Sequence, residues 1–362
     1  MTAAPIPQPG ILEITPYKAG DSAADGGNVV TKLSSNENPL GASAAARQAV
    51  RDAAGTVNLY PSSDHRELRA AIAEIHGLDP TRITCGAGSD ELISLLCAAY
   101  AGAGDEVIHT EHGFAMYPIS ALAAGATPVS VRERHRTADV DAILAALTPR
   151  TAIVFLANPN NPTGTMLPEA EIARLADGLP DEVLLVLDGA YAEYVEGFDG
   201  HARLVETRDN VVMTRTFSKI HGLGGLRVGW CYAPAKVWDV LNRVRGPFNV
   251  ASTGLAAAEA AIRDTAWVEF SRKANAQWRG WLTQELTALG LPTDESFANF
   301  VLPRFASAEQ AAAADAHLRG HGLIVRGVAG YGLPEHLRIT VGDEIACRRI
   351  VAILGEFLQG QL

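Results

Sequence analysis

Cysteine is scarce in this chain: there are four in 362 residues, Cys85, Cys97, Cys231 and Cys347, and no C-x-x-C pair. A disulfide frame and a thiolate zinc site are therefore not expected, and the four read as buried thiols of a cytosolic protein. The ten histidines show no H-E-x-x-H and no tight cluster, so no metal is expected either. No uncharged apolar run approaches the roughly 18 residues of a membrane span, so no membrane partner is expected. The first twenty residues lack a basic start followed by an apolar stretch, and a secretory leader is not expected. Basic charge is in deficit. With 41 acidic against 30 basic residues the net charge is −11, which disfavours a wide nucleic-acid footprint. A small anionic ligand stays open, because a few arginines in a cleft can dominate the local field. No G-x-x-x-x-G-K-[ST] occurs, so nucleoside-triphosphate binding has poor support.

What is present is a chain that can bury a large core, at 48% hydrophobic residues, long enough for one large domain and a smaller one. Asp21 to Asn28 (DSAADGGN) reads as a loose segment. Beyond it, helical periodicity alternates with short apolar runs. Helices are expected at Ser43 to Ala54, Asp64 to His76 (Asp64 and Glu67 giving a cap-like start), Ser89 to Ala101, Met116 to Ala124, Asp139 to Leu147 and Pro168 to Gly178. Strands are expected at Arg82 to Cys85, Glu106 to Thr110, Thr127 to Val131, Ala152 to Ala157, Glu182 to Asp188, Val211 to Thr216 and Arg227 to Tyr232. Strands apolar throughout with helices between them imply an α/β fold, a mainly parallel central sheet covered on both faces. After Pro247 the texture changes to a long Ala-rich helical stretch, about Ser252 to Leu289 with room for a bend, then alternating patches at Asn299 to Pro303 and Leu337 to Val341, and a final helix. This reads as a smaller α+β domain. The expected division is 45–248 for the large domain, with 1–44 and 249–362 forming the arm and the small domain.

In open α/β sheets ligands gather at strand carboxyl ends, so the residues following each strand are the candidates. Gly86-Ala87-Gly88-Ser89-Asp90-Glu91 opens a helix and can cradle a phosphate; alone it reads equally as a plain strand-to-helix turn. Asn158-Pro159-Asn160-Asn161-Pro162-Thr163-Gly164 follows the AIVFLA strand, and its Asn side chains can serve a ligand or merely close turns. Asp188 ends an apolar strand, a costly place for a carboxylate without a cationic partner. Thr216-Phe217-Ser218-Lys219, with Arg227 eight residues on, places a candidate amine nucleophile in a Gly-rich turn. Together they suit pyridoxal phosphate: the lysine holds the cofactor, the aspartate keeps its ring nitrogen protonated, the asparagine donates to its phenolic oxygen, and serine and arginine grip its phosphate.

Over nearly its whole length the chain resembles the fold-type-I pyridoxal-phosphate aminotransferases, and among them the histidinol-phosphate branch. The resemblance is carried by SSNENPLG at Ser34 to Gly41, LYP at Leu59 to Pro61, AGSDELI at Ala87 to Ile93, NPNNPTG at Asn158 to Gly164 and LDGAYAEY at Leu187 to Tyr194. TRTFSKIHGLGGLRVGW at Thr214 to Trp230, PFNV at Pro247 to Val250 and VRGVAGYGLPEHLRITVG at Val325 to Gly342 complete it. The resemblance implies that Lys219 carries the cofactor and moves a proton between Cα and C4′. It pairs Asp188 with the pyridinium nitrogen and Asn161 and Tyr191 with the phenolic oxygen, and stacks Phe114, where many relatives have Tyr, on the ring. Ala87, Gly88, Ser89 and Asp90, together with Thr216, Ser218 and Arg227, belong to its cofactor set. Tyr60 reaches the phosphate of a partner subunit, which implies a homodimer with shared sites. Tyr17, Asn38, Arg326 and Arg338 face the substrate, the arginines taking its phosphate.

The activity so implied is transamination of L-histidinol phosphate and 2-oxoglutarate to imidazole-acetol phosphate and L-glutamate, in histidine biosynthesis in the cytoplasm. The alternatives are an aromatic-amino-acid aminotransferase, or both activities, and a threonine-phosphate decarboxylase. A non-enzymatic binding protein on this scaffold would need an added DNA-binding segment or loss of the lysine, and neither is present.

Overall fold

The computed structural model describes residues 5–17, 20 and 30–360; the expected loose segment at 21–28 lies outside them. Seven strands form the main sheet, in the order Ile83–Gly86, Gly229–Tyr232, Val211–Thr216, Leu184–Asp188, Thr151–Ala157, Glu106–Thr110, Thr127–Val131. All neighbours run parallel except Gly229–Tyr232, which is antiparallel to both of its partners.

The continuous apolar runs have a simple cause. Side chains alternate across a strand, and here both faces are covered. Val154, Leu156, Leu185, Leu187 and Met213 enter one buried cluster, while Ile153, Phe155, Leu184, Val186 and Val212 enter the other. In the strands Thr151–Ala157 and Leu184–Asp188 the core positions on both faces are therefore apolar.

A separate core gathers Leu282 and Leu286 of the helix Thr265–Ala288, Leu318 of Ala308–Gly320, and Ile350 and Leu354 of Glu344–Gln359. They cover an antiparallel sheet in the order Arg326–Val328, Leu333–Thr340, Phe300–Val301. Leu33 joins this core from beside the strand Thr31–Lys32, which pairs with Leu323–Ile324.

Three details differ from expectation. The Ala-rich stretch is two helices, Ser252–Arg263 and Thr265–Ala288, broken at Asp264, whose side chain caps Trp267 N–H. The first of them packs Ala257, Ala258, Ala261 and Ile262 into the large sheet's core, not the smaller one. The helix Arg66–His76 starts after His65, which sits at φ 51, and Asp64 accepts from the Arg66 N–H. Helices at Ala202–Thr207, Ala235–Val244 and Ala308–Gly320 were not expected. Among the described residues no helix is long and apolar enough to cross a membrane, and all four cysteines are buried free thiols.

Candidate active site

A cavity opens where the carboxyl ends of the large sheet meet the strands Arg326–Val328 and Leu333–Thr340. It gathers Tyr17, Ser89, Asp90, Phe114, Asn161, Asp188, Tyr191, Thr216, Ser218, Lys219, Arg227, Arg326 and Arg338 from across the sequence. Ala87, Gly88, Asn38 and Tyr60 do not line it.

Short turns aim Lys219 inward. After the strand Val211–Thr216, the Ser218 N–H donates to Thr216 Oγ1 at 3.1 Å, and the Gly222 N–H donates to the Lys219 carbonyl at 3.0 Å. Lys219 Nζ donates to the Ser35 carbonyl at 3.3 Å. Burial, then the charge of Arg338, pushes its pKa down to about 8, against the pull of Asp90 and Glu37. An amine so depressed holds about a tenth of its population in the neutral, nucleophilic form at pH 7, several hundred times more than an ordinary lysine.

Asp188 closes the strand Leu184–Asp188 and is buried. Tyr117 Oη donates to its Oδ2 at 2.8 Å and the Ala190 N–H to its Oδ1 at 3.1 Å. Burial raises its pKa despite these bonds, and no cationic side chain among the described residues offsets that cost. Tyr117 lies three residues beyond Phe114, the rings edge to face at 5.8 Å. It was not singled out from sequence, although that spacing in GFAMY was a usable signal.

The loop 158–164 sorts its asparagines. Asn158 is structural, accepting from the Leu167 N–H at 2.8 Å and donating to the Leu167 carbonyl at 3.1 Å. Asn160 donates to Thr163 Oγ1 at 3.0 Å and to the His112 carbonyl at 3.3 Å. Asn161 alone lines the cavity, its Oδ1 accepting from Arg338 Nη1. Its Nδ2 is thereby left as the donor on the other side of the amide. The peptide bonds before Pro159 and Pro162 are cis.

Below the cavity the helix Ser89–Tyr100 begins. The Ala87 N–H is taken by Glu91 Oε2 at 2.6 Å, and the Gly88 N–H by the Gly86 carbonyl at 2.8 Å. The N–H groups of these two residues are thus engaged within the turn. The N–H groups of Ser89 and Asp90, in the first helical turn, have no helical acceptor. Arg227 crosses above them, its guanidinium 3.0 Å from Asp90 Oδ2 and 3.2 Å from Ser218 Oγ. Gly88 has φ 86, and a Cβ there would collide with Arg227 Nη2. Orphan N–H groups, hydroxyls and a guanidinium make an anion cradle.

Arg326 and Arg338 stand directly opposite on adjacent antiparallel strands. Arg338 is buried; its Nη2 donates to the Ser34 carbonyl at 2.7 Å, its Nε has no partner, and burial lowers its pKa. Tyr17 lies edge to face with Phe114 at 6.4 Å. Tyr331, between two glycines and not singled out from sequence, also lines this end.

Asn38 is turned away from the site. Its Nδ2 donates to the Ile220 carbonyl at 2.7 Å and to Ser271 Oγ at 3.2 Å, while its Oδ1 accepts from the Leu40 N–H at 3.0 Å. Asn36 lines the cavity in its stead, donating to Tyr191 Oη at 2.8 Å. Asn36 sits at φ 58, which breaks the alternation an extended segment would have given.

The chain belongs to the aminotransferase class I and II family, whose model matches residues 28–354. Its curated relatives are more particular. It is 64% identical over 354 residues to the histidinol-phosphate aminotransferase of Ruegeria sp. (strain TM1040), covering 98% of each chain. It is 64% identical over 351 residues to that of Dinoroseobacter shibae, covering 97% of each. Among solved structures, it superposes on the histidinol-phosphate aminotransferase of Sinorhizobium meliloti in complex with pyridoxal-5′-phosphate, with a TM-score of 0.87, 28% identity and 93% coverage of both chains.

Proposed function

We propose that this chain is a pyridoxal-phosphate-dependent transaminase that interconverts L-histidinol phosphate and 2-oxoglutarate with imidazole-acetol phosphate and L-glutamate, a step of histidine biosynthesis. The observation that carries the substrate is Arg338: a buried guanidinium with an unpartnered Nε, opposite Arg326, in the same cavity as Lys219. Such a group calls for an anion. The curated relatives carry the reaction and favour neither aromatic amino acids nor decarboxylation.

The residues present fit the cofactor. Asp188 is a buried carboxylate in need of a cation, which a protonated ring nitrogen provides. The N–H groups of Ser89 and Asp90, the Ser218 hydroxyl and the Arg227 guanidinium offer the donors that a phosphate requires. When bound, pyridoxal phosphate supplies an electrophilic carbon for amines and a ring that accepts the electrons of a broken C–H bond. Lys219 would hold it and would be the base that takes the proton from the substrate Cα. Asp188 would keep a proton on the ring nitrogen. Asn161 and Tyr191 would donate to the ring oxygen, and Phe114 would pack against the ring. Arg326 and Arg338 orient the phosphate of one substrate and a carboxylate of the other.

In this reading the chain acts as a homodimer. Tyr60 is 83% exposed and stacks on the half-exposed Phe248 at 4.6 Å, beside exposed Val57 and Leu59. Such a patch suits a partner subunit whose cofactor Tyr60 serves.

The test is Arg338→Ala assayed on two substrates. Charge-assisted hydrogen bonds contribute roughly 1.5–3 kcal/mol each, so kcat/KM for histidinol phosphate should fall at least tenfold more than for histidinol. Equal losses on both would make Arg338 structural and remove the main support for a phosphorylated substrate.

A further inference from the structure

The segment Ser34-Ser35-Asn36 has no role in the reading above, yet it touches three of its principal residues. The Ser34 carbonyl accepts from Arg338 Nη2 at 2.7 Å, the Ser35 carbonyl accepts from Lys219 Nζ at 3.3 Å, and Asn36 Nδ2 donates to Tyr191 Oη at 2.8 Å. Asn36 is itself 1% exposed and bound on every side. Its N–H donates to Thr340 Oγ1 at 3.0 Å, its Oδ1 accepts from the same hydroxyl at 3.2 Å, and its carbonyl accepts from Asn299 Nδ2 at 3.0 Å. Thr340 lies two residues from Arg338 in the strand Leu333–Thr340, so the two side chains share a face.

The bonding order fixes the direction of Tyr191. The Thr340 hydroxyl has one proton; it accepts from the Asn36 N–H and gives that proton to Asn36 Oδ1. Asn36 Nδ2 is then the atom facing Tyr191. A phenol that accepts from an amide has its own proton free for another acceptor, and the remaining open side of Tyr191 is the cavity. The charged groups around this phenol are Lys219, with Nζ 5.7 Å from the ring, Arg338, Asp188 and Asp90.

We propose that Asn36 is a positioning residue: it makes Tyr191 a donor into the cavity and ties that donor to the strand that carries Arg338. The proposal rests on the pyridoxal-phosphate reading, in which the acceptor is the ring oxygen.

Asn36→Asp tests it. Aspartate is nearly isosteric and tolerates positive φ, but a carboxylate at this position accepts from Tyr191 and reverses the bond. The first readout is the pH midpoint of the bound cofactor's visible absorption. Withdrawing one hydrogen bond from the ring oxygen should raise that midpoint by about one unit, the equivalent of a tenfold change. The second is kcat, expected to fall about tenfold with a smaller change in KM for histidinol phosphate. The third is a double variant: Tyr191→Phe should add little in the Asn36→Asp background while shifting the midpoint in the unmodified chain. Asn36→Ala, which removes the amide without supplying an acceptor, should shift the midpoint less than Asn36→Asp. An unmoved midpoint with normal cofactor binding, or fully additive effects of the two substitutions, overturns the role of Asn36 alone. Failure of the unmodified chain to bind pyridoxal phosphate overturns this inference and the parent reading together.

Discussion

The chemistry of this site is decided by what individual groups lose on burial. Lys219 loses hydration and meets the charge of Arg338, and so titrates near 8 instead of 10.5. The sign of the consequence follows directly. Below pH 8 the amine is protonated and cannot attack an aldehyde; above it the neutral form is in the majority. The rate at which the cofactor-free protein captures pyridoxal phosphate should therefore rise through pH 8 and level off, whereas a lysine at its ordinary value would keep gaining past pH 10. Stopped-flow absorbance against pH measures this. Arg338→Met removes the larger of the two charges that depress it, Arg338 and Arg227, and should move the midpoint upward. A midpoint near 10 in the unmodified chain would show that Lys219 is not the buried group described. Asp188 is the complementary case: burial raises its pKa, and in the proposed reading a protonated ring nitrogen would offset that cost.

At the scale of elements, the anion cradle depends on a helix start and the glycine before it. Gly88 has φ 86 and no room for a side chain, because Arg227 occupies the space a Cβ would take. Gly88→Ala is expected to displace that guanidinium and weaken binding of pyridoxal phosphate at least tenfold, since a charge-assisted bond contributes roughly 1.5–3 kcal/mol. Pyridoxal without the phosphate should lose little. Titration by fluorescence quenching compares the two, and equal losses would place the damage in the fold, not the cradle. These elements also mark what could be read from residues alone. The strands Glu106–Thr110, Thr127–Val131 and Val211–Thr216 were legible to the residue, because each carries a short β-branched or apolar run between turn residues. The loops that follow them were legible because ligand groups collect at strand ends. The exchange of Asn36 for Asn38 was not, since it depends on one left-handed residue that no periodicity reports. The break at Asp264 hid within an Ala-rich run whose helical tendency continues on both sides. The engagement of the Ala87 and Gly88 N–H groups by Glu91 and Gly86 is a matter of local backbone path, below the resolution of a motif.

At the scale of the molecule, the site exists only because two cores meet. Asp188 ends a strand of the main sheet and Lys219 follows another in a turn, while Arg326 and Arg338 stand on strands of the smaller sheet. In the proposed dimer, the exposed stack of Tyr60 on Phe248 would extend that logic to a second copy of the chain. Aromatic surface of this kind, flanked by Val57 and Leu59, is costly to leave in water and is typical of interface centres. If each cofactor is served by Tyr60 of the other subunit, two defective chains can repair each other. A Tyr60→Ala chain keeps Lys219, and a Lys219→Ala chain keeps Tyr60. After subunit exchange about half of the dimers are mixed, and each mixed dimer holds one site with both residues. Activity of the mixture should therefore rise to about a quarter of the unmodified value, above the mean of the parents. Native mass spectrometry establishes that mixed dimers have formed. Were they present with activity still at the parental mean, Tyr60 would serve the cofactor of its own chain or none, and the exposed stack would need a different partner.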